Sequence, residues 1–135
     1  MKVIVDTCIW SLVLRNSVQN TRFDRLLQDL ITDQRVVILG AIRQEILSGV
    51  RHQEQFEKLK NQLRNYPNIV MEMEDFELAA QYYNLCRRQG IQGSGVDFLI
   101  CAASVRRKFE ILTLDKDFSL YAHHLPIKLL ADMVN

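Results

Sequence analysis

An α/β fold of three layers is predicted, with helices on both faces of a parallel sheet of four to five strands. Two features of the sequence predict it. Short apolar runs, mostly rich in β-branched residues, recur at residues 2–5, 36–39, 69–71 and 111–114, with a weaker one at 127–129. Runs of that length and composition read as buried strands. Between them lie longer stretches of helical periodicity, and strands alternating with helices imply right-handed crossovers and a sheet covered on both sides.

The helical stretches each keep one face apolar. Phe23, Leu26, Leu27 and Leu30 form one such face, and Phe56, Leu59 and Leu63 a second. A third runs from Phe76 through Leu78, Ala79, Tyr82 and Tyr83 to Leu85. Residues 41–50 form a shorter helix. Residues 97–105 carry Phe98, Leu99, Ile100, Cys101, Ala102 and Ala103 and leave no polar face, which marks a buried helix. Pro67 and Pro126 each precede an apolar run, and no repeat, low-complexity tract or linker interrupts the chain. A single domain spanning 1–135 is expected, large enough for a hydrophobic core.

Apolar residues make up 48% and charged residues 24% of the chain, which is ordinary for a globular protein. A net charge of +1 does not announce a nucleic-acid partner. Such contacts would fall to local clusters, Arg87-Arg88 and Arg106-Arg107-Lys108, whose default is a solvated helix face. Cys8, Cys86 and Cys101 have no close spacing, so neither a zinc knuckle nor a disulfide framework is indicated, and all three are expected as small buried hydrophobes. The opening apolar run is too short for a signal peptide or membrane span, and a cytoplasmic location is expected.

Of sixteen acidic residues, most stand among polar neighbours, as Asp29, Asp33, Glu54, Glu57, Glu74 and Glu77 do. Four do not. Asp6 directly follows the first predicted strand, and Asp115 follows residues 111–114 in the same way. Asp97 opens the all-apolar helix, and Glu45 has Ala41, Ile42, Ser48 and Gly49 as its helical neighbours. Helix capping by Asp6, Asp115 or Asp117, a Ser94–Asp97 capping box, or a Glu45–Arg43 pair would each explain one position. Four such coincidences are harder to accept, since open α/β sheets gather their chemistry beyond the carboxyl ends of the strands.

Converging carboxylates repel, by roughly 4 kcal/mol per pair at about 4 Å and an effective dielectric near 20. A fold retains such a group when shared protons or a cation compensate. Hard oxygen ligands favour Mg²⁺ or Mn²⁺, and His52, His123 and His124 have no metal-ligand spacing. Such ions acidify water and stabilise a leaving oxygen, so phosphodiester hydrolysis is the natural reaction class. Asp6, Asp97 and Asp115 would hold the metal, and Glu45 would ligate a second ion or orient water. Thr7 and Thr113 offer supporting hydroxyls, against the alternative of backbone capping. No GxxxxGK[ST] or GxGxxG loop is present, and Asp6-Thr7-Cys8 is neither Asp-x-Asp nor an acidic pair. The glycines of residues 90–95 suggest a flexible approach to Asp97.

The residues carrying these acids resemble the PIN-domain family, and in particular its VapC-type toxins. Val3-Ile4-Val5-Asp6-Thr7, followed by Cys8-Ile9-Trp10, resembles the first motif, and Arg43-Gln44-Glu45-Ile46-Leu47-Ser48-Gly49 the second. Val96-Asp97-Phe98-Leu99-Ile100-Cys101-Ala102-Ala103 is similar to the third, and Leu112-Thr113-Leu114-Asp115-Lys116-Asp117-Phe118 to the fourth. The resemblance implies a five-stranded parallel sheet, Mg²⁺ or Mn²⁺ dependence and endonucleolytic cleavage of RNA. It also implies a homodimer, neutralised by a small antitoxin, with the complex bound to operator DNA. Asp115 and Asp117 both fit the fourth motif, and Asp115 stands nearer the strand. Trp10 and Leu14 offer an apolar groove for an antitoxin helix, or else core packing. Two other readings stand beside the toxin: an RNA-processing PIN nuclease outside any toxin–antitoxin pair, and an inactive α/β binding module.

Overall fold

A computed structural model describes residues 1–15 and 21–130 of the chain. The elements run β1 (Val3–Val5), α1 (Thr7–Arg15), α2 (Thr21–Thr32), β2 (Val36–Val37), α3 (Gly40–Leu47), α4 (Gln53–Leu63), α5 (Met73–Arg88), α6 (Gly95–Arg107), β3 (Glu110–Leu112), α7 (Asp117–Ala122) and β4 (Lys128–Leu129). The four strands form one parallel sheet in the order β2-β1-β3-β4. Val3, Ile4, Val5, Ile111 and Leu112 are buried at its centre, as the apolar runs predict.

The predicted strand at 69–71 reduces to one parallel bridge, Ile38 to Asn68, flanked by hydrogen bonds from Ile38 N to Pro67 O and from Ile69 N to Ile38 O. Pro67 has no amide proton to extend the ladder on its side, and Val70 is exposed. Among the described residues the sheet therefore has four strands, not five.

Helix α6 is buried from Ile100 to Ser104, as expected of a helix without a polar face. Ser94 caps its start by accepting a 3.1 Å bond from Asp97 N. Lys108, in the left-handed region at φ 60, ends it, and Phe109 N then bonds to Ser104 O. Helix α5 lies along α6, with Ala79, Tyr82 and Cys86 on its covered face.

Asp75, also on that covered face, is fully buried. Arg107 grips it with two 2.7 Å bonds, one to each carboxylate oxygen, and Arg106 adds a third at 2.8 Å. The Glu72 amide donates a fourth at 2.8 Å. The Arg107 guanidinium, with those bonds, holds the Asp75 carboxyl well below the usual carboxylate range. Arg106 and Arg107 thus fasten α6 to α5, which differs from both the solvated face and the nucleic-acid contact open to them in the sequence.

Candidate active site

Strand order places the reversal of chain direction across the sheet between β1 and β3: the chain leaves β1 for β2 on one side and returns to β3 on the other. A crevice at such a switch point is where parallel α/β sheets bind their ligands. Asp6 stands at the carboxyl end of β1 there, and its backbone amide still pairs with Leu112 O on β3 at 2.9 Å.

Asp6 is only 8% exposed. Its Oδ2 accepts a 2.8 Å bond from the Thr113 hydroxyl, and its Oδ1 a 2.8 Å bond from the Thr7 amide. Burial raises the Asp6 carboxyl above its ordinary range; the Thr113 and Thr7 bonds oppose this, and the charge of Asp97 adds to it. Asp6 and Asp97 therefore lie within electrostatic reach of each other.

Two threonines link Asp6 to the remaining predicted acids. The Thr7 hydroxyl donates to Glu45 Oε1 at 2.7 Å, across from α1 to α3. Glu45 itself is exposed and lines an open cleft of about 520 Å³ with Thr7, Ser11, Gln44, Ser48 and Val96. Arg43, the alternative partner for Glu45, turns instead toward Asn68 Oδ1 at 3.5 Å. On the other side, Thr113 Oγ1 accepts from the Asp115 amide at 3.0 Å. Asp115 Oδ1 accepts a 2.9 Å bond from the amide of Asp117, the first residue of α7. Asp117 contributes that amide, and both acids are exposed.

Hydrogen bonds through Thr7 and Thr113, and the charge of Asp97 on Asp6, thus link the four acids, and among the described residues none forms an ion pair with a lysine or arginine. They do not close into a tight cluster: among the described residues no three His, Cys, Asp or Glu side chains are grouped so as to hold a metal. His52, His123 and His124 are exposed.

Two members of the site have no local sequence signal. Tyr121, fully buried on α7, donates a 2.7 Å hydrogen bond to Asp97 Oδ2. Its burial, that bond and the charges of Asp97, Asp117 and Asp115 push its hydroxyl far above the ordinary tyrosine range, so it remains a donor. Gly93 packs against it: a Cβ at that position would collide with the Tyr121 hydroxyl and lie 2.8 Å from its Cζ and 2.9 Å from Phe98 Cε2. The glycine segment is a fitted wall beside Asp97 at this point, and not merely a flexible approach.

Cys8 is the second. The sequence predicts an apolar setting for all three cysteines, and Cys86 and Cys101 are buried. Cys8 is half-buried instead, with its sulfur 3.3 Å from the Leu114 amide, 3.6 Å from Thr113 Oγ1 and 3.7 Å from Asp6 Oδ2. Burial raises its pKa, which keeps it a neutral thiol. It ties α1 to the loop after β3. Trp10 resolves toward packing: it is 2% exposed, donates to Val5 O at 3.0 Å and lies 5.1 Å from the Tyr66 ring, leaving only Leu14 of the suggested groove exposed.

A parallel α/β domain with acids gathered at its switch point defines the class. The chain belongs to the PIN domain family, whose model matches residues 3–124. A search of curated protein sequences found no match. Solved structures show the same fold. The VapBC2 complex from Rickettsia felis, bound to a promoter DNA fragment, superposes with a TM-score of 0.79 at 15% identity, covering 96% of this chain and 98% of that one. FitAcB from Neisseria gonorrhoeae gives 0.75 at 16% identity, covering 95% and 96%. DNA-bound VapBC from Salmonella typhimurium gives 0.72 at 12% identity, covering 96% and 97%.

Proposed function

We propose that this chain is a Mg²⁺- or Mn²⁺-dependent endoribonuclease and the toxin of a VapBC-type toxin–antitoxin pair. The observation that carries the reading is Asp6, buried at the switch point under the charge of Asp97 and joined through Thr7 to Glu45 and through Thr113 to Asp115. A carboxylate buried against a second acid is costly unless a cation compensates.

The donor set suits a hard divalent ion. Its atoms are carboxylate and hydroxyl oxygens, and the one sulfur nearby, on Cys8, is held as a thiol. Magnesium commonly uses one or two carboxylates and keeps several waters, so acids linked through threonines without closing on each other suit it. Asp6 and Asp97 would hold the ion, with Asp115 at the rim. When bound, it would supply charge neutralisation for the phosphodiester and acidify water. The chain's own groups do the rest. Tyr121 keeps Asp97 pointed inward, Thr113 orients Asp6, and Thr7 holds Glu45 at the open cleft, where it orients the attacking water.

The similar complexes from Rickettsia felis and Salmonella typhimurium are bound to DNA. They support a small antitoxin as partner and operator DNA reached through it; RNA as substrate and a homodimer complete the proposal. Among the described residues no helix is long and apolar enough to cross a membrane, which accords with a cytoplasmic site of action. The open spacing of the acids favours one rival, an inactive binding module.

Purified protein with a mixed RNA substrate tests the reading. Cleavage is expected with Mn²⁺ or Mg²⁺, abolished by chelator and reduced about 100-fold or more in Asp97→Asn. Folded protein that leaves RNA intact at every metal concentration would establish the module instead.

A further inference from the structure

The cleft of about 520 Å³ beside Glu45 is made by short side chains on two packed helices. Thr7 and Ser11 share one face of α1, and Ala41, Gln44 and Glu45 share one face of α3, with Ser48 at its end. Ser11, Ala41 and Ser48 are too small to fill the space between the helices, which Val96 of α6 borders. Its volume falls in the range of pockets that take a small ligand, roughly 300–1,000 Å³.

The chemistry of the wall narrows what the cleft can hold. Among the described residues no lysine or arginine lines it, and its one charged side chain, Glu45, has the same sign as a phosphate. Ala41 and Val96 offer apolar surface to the face of a planar ring. Ser48 turns its hydroxyl back on its own helix, donating to Gln44 O at 2.7 Å, and the Thr7 hydroxyl is engaged by Glu45. Gln44 is exposed beside the cleft, and among the described lining residues it alone has a long uncharged side chain that can donate and accept at once. It directly precedes Glu45, so a group held by Gln44 lies beside the water that Glu45 would orient.

We propose that this cleft is a nucleobase subsite for the RNA substrate, and that Gln44 selects adenine next to the cleaved bond. The inference rests on the nuclease reading above and adds to it a residue that reads sequence. In single-stranded RNA a base can be splayed out and hydrogen-bonded along its edge. The glutamine carboxamide sets one N–H donor beside one acceptor oxygen, which together match N7 and the N6 amino group of adenine. Guanine presents two acceptors, O6 and N7, on that edge and is met by arginine or lysine, which the described lining lacks. A pyrimidine would reach the carboxamide with less ring against Ala41 and Val96.

Sequencing the fragments cut from a randomised single-stranded RNA pool in Mn²⁺ tests the proposal, together with oligonucleotide binding to the metal-free protein. The parent is expected to favour adenine about 10-fold at one position beside the cleaved bond, and Gln44→Leu to lose that preference. Calorimetry should show Gln44→Leu binding Mn²⁺ as the parent does, which damage to the acid crevice would not allow. In chelator the parent should bind an adenine-containing oligonucleotide about 10-fold more tightly than an all-uracil one, and the variant should bind both alike. Adenine-selective binding that Gln44→Leu removes, in a protein that cuts nothing, upholds the subsite and overturns the nuclease reading. Cleavage with no base preference, with another base preferred, or with an adenine preference that survives Gln44→Leu overturns the subsite and leaves the nuclease standing. Neither cleavage nor selective binding overturns both.

Discussion

Gly93→Ala puts the support of the acid crevice under direct strain. The added methyl would collide with the Tyr121 hydroxyl and crowd Tyr121 Cζ and Phe98 Cε2 at 2.8 and 2.9 Å. Neither ring can retreat easily. Both are buried, and Tyr121 is held between Phe98 at 4.9 Å and Phe118 at 5.2 Å. Overpacking of this kind costs about 1–3 kcal/mol. At ~2.1 cal/mol/K of unfolding entropy per residue, that lowers Tm by about 4–11 °C for a chain of this length. The methyl also pushes the Tyr121 hydroxyl away from Asp97. Metal-dependent RNA cleavage at a temperature where the variant is folded should therefore fall about 10-fold or more, beyond what lost stability explains. Thermal melting and cleavage assays on Gly93→Ala, Tyr121→Phe and the double variant decide the matter. Removing the hydroxyl removes the closest collision, so the double variant should be more stable than additivity allows, by about 1 kcal/mol. A Gly93→Ala protein that melts with the parent, or strictly additive effects, would refute the packing described.

Asp75→Ala should destabilise by about 3–5 kcal/mol, seen as a Tm drop of about 10–18 °C, because it strands Arg106 and Arg107 against a buried site. The same carboxyl predicts acid sensitivity. Its folded pKa is depressed, so its stabilisation is present above the unfolded value near ~3.9 and is lost as pH falls toward the depressed one; Asp75→Asn should flatten melting against pH in that window. Asp6→Asn points the other way. Burial, with the charge of Asp97, raises the Asp6 carboxyl, so its ionisation costs stability as pH rises past the ordinary value. An asparagine can still accept the Thr7 amide through its oxygen and can donate its amide to a turned Thr113 hydroxyl, so the metal-free variant should melt at or above the parent at neutral pH; a loss of about 2 kcal/mol or more would mark Asp6 as structural.

The acids at the strand ends were legible because a buried, β-branched run that stops on an aspartate breaks its own pattern. Asp6 is of this kind; Asp115 reads so in the sequence, but β3 ends at Leu112 and Leu114 is exposed, so Asp115 stands in the loop that follows the strand. Asp97 stood out for the opposite reason, an acid opening a helix with no polar face. What the pattern could not carry was contact across the chain. Tyr121 lies on a short helix 24 residues beyond the acid it holds, and Gly93 matters only because Tyr121 arrives against it. Asp75 sits beside Glu74, whose solvated setting it would share but for the two arginines that reach it from α6. Cys8 looked apolar by its neighbours in sequence, yet its sulfur meets the loop after β3. The strand expected at 69–71 had the right residues but only one bridge's worth of partner.

Calorimetric titration of Mn²⁺ into metal-free protein tests most directly whether the acids around Asp6 form a cation site. Saturable binding is expected in the parent, at least about 10-fold weaker in Asp6→Asn and in Asp97→Asn, with Glu74→Gln as an unaffected surface control. Equal binding in parent and both crevice variants, or none in the parent, would contradict a metal centre at this end of the sheet.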